Sequence, residues 1–219
     1  AAQVSSGSFT PEATDDYGGG ISPSRRSLLL VQGAANVAAA QAKTLARSAA
    51  AISHHRFKPV RPLPTVDDPP DRLLVVCYDF LGDALLLMPL LEQLKEAFPE
   101  TELSLLTGNV AEPLFESFAA IDRHIVLPSG LGSKNPRHVK RVFDTVRKAR
   151  PDAILLTYFH GPNPFGLFAS TNAPIVCWDR DHGMKQQLWS ELAARVVHKD
   201  FRKPEVAAML DLAAPLEVP

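Results

Sequence analysis

The sequence predicts an α/β fold, a Rossmann-like doubly wound parallel sheet, and three observations predict it. Short apolar runs bounded by turn residues recur along residues 71–219. Amphipathic stretches with helical spacing separate them. The first run, Leu73-Leu74-Val75-Val76, leads through Leu81-Gly82-Asp83 straight into such a stretch. Strands alternating with helices imply parallel pairing through right-handed crossovers, with both faces of the sheet covered.

The elements follow in chain order. Residues 1–23 are small and polar, with Gly18-Gly19-Gly20 at their centre, and read as a flexible arm. Residues 24–57 are Ala-rich behind the helix-start pair Pro23-Ser24, and read as a helix weakened by Gly33. Residues 58–70 carry Pro59, Pro62, Pro64, Pro69 and Pro70, an extended stiff linker that puts a domain boundary near residue 70. Beyond it, strands are expected at 73–78, 102–106, 124–127, 153–158 and 174–178. Helices are expected at 84–98, 110–118, 136–150, 185–197 and 204–212, with a helical turn at 164–170. Pro89 should kink the first helix or confine its first turn. Val139, Val142, Phe143 and Val146 form the inner stripe of the strongly basic 136–150 helix.

Composition narrows the function. The 219 residues carry a formal net charge of −1, so no bulk field draws the chain to nucleic acid or to an anionic membrane. No apolar run is long enough to cross a bilayer. Both cysteines, Cys77 and Cys177, lie in apolar runs and read as buried thiols, with no neighbouring ligand at metal spacing. Between residues 18 and 66 there is no acid, whereas Arg25, Arg26, Lys43, Arg47, Arg56, Lys58 and Arg61 are present. That pattern resembles an organellar transit peptide; in a mature chain it reads as an attachment helix for a partner.

Chemistry-bearing residues gather where strands would end. In Asp79-Phe80-Leu81-Gly82-Asp83, Gly82 is expected to allow a sharp turn and Asp83 to sit at or near the helix N-cap. Capping and general-base catalysis are both open to Asp83. Asp79, a second carboxylate four residues away, would repel it. His160 follows the fourth strand in a Gly- and Pro-containing loop and faces the same edge. Trp178-Asp179-Arg180-Asp181-His182 follows the fifth; its charges could ligate a metal, but such loops usually form local hydrogen bonds. Arg137, Lys140 and Arg141, with Lys134, His138, Arg147, Lys148 and Arg150, form a basic surface that could meet phosphates or an anionic membrane, with a solvated helix face as the default. No dinucleotide fingerprint, P-loop, nucleophile elbow or metal-type Cys/His spacing occurs.

The order and spacing of several pieces resemble glycosyltransferase family 9, the heptosyltransferase-like enzymes. These pieces are Leu73–Val76, Leu81-Gly82-Asp83, Met88-Pro89-Leu90 and Ala97-Phe98-Pro99, then Glu112-Pro113-Leu114, Ile121-Asp122-Arg123-His124-Ile125 and Pro151-Asp152-Ala153-Ile154. His198 and the 204–212 helix resemble the passage to the family's second domain. The resemblance spans about residues 71–215. It implies the acceptor-side half of a two-domain GT-B fold, with Asp83 as the base of an inverting transfer from a nucleotide-sugar and no metal. Asp79, Gly82, His160, Arg137, Lys140 and Arg141 would contact a lipid-linked or oligosaccharide acceptor. The sequence departs from the family in carrying Cys77-Tyr78-Asp79 where Ser or Arg is usual, and in ending at Pro219 before a donor-binding half.

Two functions follow as expectations. One is a glycosyltransferase-like acceptor domain, inactive by itself, at the cytoplasmic face of a membrane with peripheral contact. The other is a non-catalytic subunit held through residues 1–70 in a larger assembly, organellar (mitochondrial, for example) or membrane-associated. Neither requires a nucleic acid, and the nucleotide-sugar enters only with a second domain.

Overall fold

A computed structural model describes residues 61–77, 81–127, 136–157, 171–179 and 193–218, with the backbone alone for residues 136–140 and 179. Six strands form one sheet: β1 (Arg72–Val76), β2 (Glu102–Gly108), β3 (Arg123–Leu127), β4 (Ala153–Leu156), β5 (Ile175–Asp179) and β6 (Arg195–His198). Their order is β3-β2-β1-β4-β5-β6, and every neighbouring pair is parallel. The helices are α1 (Leu81–Ala97), α2 (Glu112–Phe115), α3 (Pro136–Ala149) and α4 (Glu205–Asp211), with 3₁₀ turns at Asn109–Ala111 and Ala214–Leu216. This is the expected Rossmann-like α/β architecture. The expected arm and helix of residues 1–57 and the helical turn at 164–170 lie outside the described residues.

The central strands are apolar on both sides because helices cover both faces. Leu73, Val75, Leu103, Leu105, Leu155 and Trp178 join one core layer with Leu87, Leu90, Leu91 and Leu94 of α1 and Ala208 and Met209 of α4. Leu74, Val76, Ile154, Leu156 and Cys177 join the other with Val142 and Val146 of α3. Cys77 belongs to the first layer, and both cysteines are buried and in no disulfide. Helix α1 runs unbroken through Pro89. The Leu85 carbonyl, four residues back, loses its usual donor there, and Leu85 lies on the solvent side, 48% exposed.

Two expectations fail. Residues 195–198 are not helical: Arg195-Val196-Val197-His198 pairs with β5 as the edge strand β6. Two adjacent β-branched residues favour the pleated ladder, and that preference prevails over the helical spacing of the preceding residues. Gly82 does not form a turn between strand and helix but is helical, since α1 begins by Leu81, and Asp83, expected at or near the N-cap, is the helix's third residue.

The N-terminal edge of the sheet is closed by two aspartates in the same way. Asp122 precedes β3, and its backbone N–H donates to the Leu103 carbonyl (2.9 Å) while its Oδ2 accepts the Leu103 N–H (2.7 Å). Asp152 precedes β4, donates to the Arg72 carbonyl (2.8 Å) and accepts the Arg72 N–H (3.0 Å). Each carboxylate replaces the carbonyl that a longer strand would have supplied to a buried ladder end. Each also holds a cation: Lys95 of α1 donates to Asp122 (2.9 Å), and Arg61 donates to Asp152 (2.8 Å).

The Pro-rich segment from Arg61 to Pro70 lies along this same edge. The Arg61 N–H donates to the Asn172 carbonyl (3.5 Å), and the buried Thr101 hydroxyl donates to the Pro70 carbonyl (2.6 Å). Leu63 packs on the first core layer, and Pro64 and Pro70 are buried. The chain therefore enters the sheet domain at its N-terminal edge.

Candidate functional site

The strand order reverses direction between β1 and β4. From β1 the chain proceeds outward to β2 and β3, and from β4 it proceeds the other way to β5 and β6. In open α/β sheets the crevice beyond the carboxyl ends of the strands at such a switch point is where ligands bind.

The floor of that crevice is tied by Thr157, which follows β4. Its backbone N–H and its hydroxyl both donate to the Val76 carbonyl at the end of β1, at 3.1 and 3.2 Å. Thr157 is fully buried, so both bonds stand in a dry setting. Nothing in the sequence singles out Thr157, because a threonine ending an apolar strand reads as an ordinary β-former.

Asp83 stands above this floor in the first turn of α1, half-buried, at the helix end where the dipole is positive. Gly82 beside it is exposed, and a Cβ built there would meet no atom within 4 Å. A steric need for glycine at a sharp turn is therefore not what the structure shows: Gly82 is helical and opens onto free space. Leu81 and Leu85 flank Asp83 and are 45% and 48% exposed. Val110, in the 3₁₀ turn after β2, is 61% exposed at the same edge.

The remaining sequence candidates divide. Helix α3 begins at this C-terminal edge, since it follows β3, and returns toward the start of β4. Arg137, Lys140 and Arg141 lie in its first half, and the Arg141 side chain is exposed. Helix α3 covers the face of the sheet opposite α1, so Arg141 and Asp83 share an edge but not a face. Asp79 and His160 lie outside the described residues, as do Arg180, Asp181 and His182. Among the described residues no group of three His, Cys, Asp or Glu could hold a metal ion, and no helix is long and apolar enough to cross a membrane.

A second polar feature stands one strand away from β1. His124 Nε2 lies 2.7 Å from the Thr107 hydroxyl, which in turn donates to the Gly108 carbonyl. With its single proton given to Gly108, that oxygen accepts from an Nε2–H. Phe115 meets the imidazole edge-on at 5.4 Å. Burial holds His124 below the usual imidazole pKa, against an opposing pull from Glu112.

No family model matches the sequence, and no curated protein is similar enough to count as a relative. Solved structures do resemble the chain. A glycosyl transferase family 9 structure from Veillonella parvula superposes with a TM-score of 0.57 at 18% identity, over 68% of this chain and 42% of that one. The Escherichia coli heptosyltransferase WaaC with ADP-2-deoxy-2-fluoro heptose gives 0.53 at 16% identity, over 68% and 49%. The E. coli ADP-heptose LPS heptosyltransferase II gives 0.51 at 16% identity, over 65% and 40%. The chain thus spans less than half the length of these proteins. At such identities the likeness is one of fold: the chain carries a glycosyltransferase-like, heptosyltransferase-like α/β sheet.

Proposed function

We propose that the sheet domain is the acceptor-side lobe of an inverting sugar transferase. The observation that carries this reading is the position of Asp83: a half-buried carboxylate beside an open glycine, in the first turn after the central strand, at the switch point. A carboxylate there can take the proton of an acceptor hydroxyl as that oxygen attacks the anomeric carbon. The bond from that carbon to the nucleotide's phosphate oxygen breaks as the new glycosidic bond forms, and the electron pair leaves with the nucleoside diphosphate. The exposed Leu81, Leu85 and Val110 supply apolar contact around the crevice. Arg141, with Arg137 and Lys140, supplies positive charge for an anionic acceptor.

On this reading the 219 residues bind acceptor but do not turn over a nucleotide-sugar until a donor-binding lobe faces Asp83. The test uses the assembly in which the chain resides, supplied with host lipid extract as acceptor, and measures nucleoside diphosphate release from ADP-, UDP- and GDP-sugars. Release that is lost in Asp83→Asn supports the reading; release that persists unchanged removes Asp83 from the mechanism.

One observation favours a second reading, a non-catalytic subunit. The 61–70 segment is fastened to the edge opposite Asp83, so the chain enters the domain at Arg61 on the side away from the crevice. An attachment segment there would hold the domain on a partner and leave the crevice free. Deleting residues 1–60 should release the chain from its assembly; continued co-purification would contradict this reading.

A further inference from the structure

The loop after β6 forms an open groove of about 450 Å³ lined by His198, Lys199, Asp200, Phe201 and Arg202. Strands are spaced about 4.8 Å apart, which puts β6 roughly 14 Å from β1, so this groove is separate from the Asp83 crevice although it lies at the same sheet edge. Its volume falls within the ordinary range for small-molecule sites.

The chemistry of its walls is specific. Lys199 Nζ lies 5.7 Å from the Phe201 ring centre and 6.0 Å from that of Trp178, and it pairs with Glu205. That pairing neutralises Lys199 and fixes it as a spacer between two aromatic rings. The Asp200 carboxylate accepts the Arg202 backbone N–H at 2.9 Å, so it is engaged in holding the turn. Lys203, the next cation, is paired with Asp211. The Arg202 side chain is exposed and enters no ion pair among the described residues. Phe201 is 73% exposed, the most exposed large apolar side chain among the described residues. Trp178 is only 6% exposed, yet its indole N–H has no hydrogen-bond partner among them. A buried donor without a partner is costly, and an aromatic ring held in solvent beside a guanidinium gains nothing from folding.

We propose that this loop is a binding site for a phosphate ester carried on a ring, in which Arg202 holds the phosphate and Phe201 stacks on the ring. The guanidinium fork matches phosphate geometry, and the face of Phe201 not occupied by Lys199 offers apolar contact to a sugar or a base. Sugar phosphates and nucleotides share this chemistry. The site does not depend on the transfer reaction proposed above.

The experiment titrates the full chain with glucose 1-phosphate, UDP and inorganic phosphate. It follows the amides of residues 198–202 and the Trp178 indole N–H by NMR, the indole being assigned with Trp189→Phe. At least one ring-bearing phosphate should bind more tightly than inorganic phosphate, by about fivefold from aromatic contact. Arg202→Ala should weaken it about tenfold through loss of a charge-assisted pair, with partial recovery in Arg202→Lys. Phe201→Ala should remove the preference for the ring. Arg123→Ala, an exposed cation at the opposite edge, should change nothing. Both site residues are exposed, so their variants should remain folded. Tighter binding by glucose 1-phosphate assigns a sugar phosphate, and tighter binding by UDP a nucleotide. Equal affinity for inorganic phosphate, unchanged affinity in Arg202→Ala or Phe201→Ala, or no response from either ring-bearing ligand overturns the proposal.

Discussion

At the N-terminal edge of the sheet, Asp122 and Asp152 each spend one carboxylate oxygen on a backbone N–H and meet a cation, and a proline-rich segment covers what remains. At the C-terminal edge, Leu81, Leu85, Val110 and Phe201 stand in solvent, Gly82 opens onto free space, and the Trp178 N–H is buried without a partner among the described residues. Both edges belong to one sheet of parallel strands and face the same problem of unpaired ladder ends. The first edge ties its ladder ends with side-chain acceptors and covers much of its apolar surface, although the buried Arg72 Nε has no partner among the described residues and Val66 is 40% exposed. The second exposes more large apolar side chains, as binding surfaces do. Carboxylates occur at both edges, and their place in the sheet, rather than the residue type, separates a latch from a candidate base.

Substitutions can break or sharpen this contrast. The largest expected effect is at Asp83. In an assembly that transfers sugar, Asp83→Asn should lower kcat by roughly 10²–10⁴-fold, the usual contribution of a general base, with a stability loss of no more than about 1 kcal/mol from the helix dipole. Asp152→Ala should do the reverse. It leaves the Arg72 N–H and Arg61 without their acceptor and should cost about 1–3 kcal/mol in urea unfolding, with ligand binding at the other edge intact. Thr157→Val should cost about 1 kcal/mol, because the Val76 carbonyl keeps the Thr157 N–H when the hydroxyl is lost.

The smallest effects are in pH dependence. Burial acts to raise the Asp122 carboxyl, but hydrogen bonds from Lys95 and the Leu103 N–H and the Lys95 charge outweigh it and hold the group below its ordinary 3.8. A lowered carboxyl stabilises the fold above the unfolded value and loses that contribution as pH falls through the folded one. The stability difference between wild type and Asp122→Asn should therefore be constant above about pH 4 and shrink below 3.8. His124 is lowered from 6.5, so the unfolded chain binds its proton first on acidification. Its contribution should be complete above pH 6.5 and decline below it, and His124→Gln should remove that slope.

Much of this fold is legible in the sequence because buried parallel strands and amphipathic helices leave strong periodic marks. β1, β2, β4 and β5 announce themselves as apolar runs, and Val142 and Val146 mark the inner face of α3. β6 does not, because Arg195-Val196-Val197-His198 is short, half-exposed and preceded by helix-like spacing. The site is less legible. Asp83 stands out by its place after a strand, but its position within the helix depends on where α1 begins, which residues 79–83 leave open between cap and first turn. Asp122 and Asp152 are visible as parts of a pattern, yet their latch geometry exists only once β2 and β1 lie beside them. Thr157 and the Lys199–Arg202 loop depend on contacts made across strands and carry no local motif.

The central claim is that the C-terminal edge works and the N-terminal edge holds. It is tested most directly by measuring nucleoside diphosphate release in the native assembly with Asp83→Asn and Asp152→Asn side by side, at a temperature where both are folded. The account predicts that Asp83→Asn loses release and little stability, and that Asp152→Asn keeps release and loses more stability. Undiminished release in Asp83→Asn, or its loss in a folded Asp152→Asn, would contradict it.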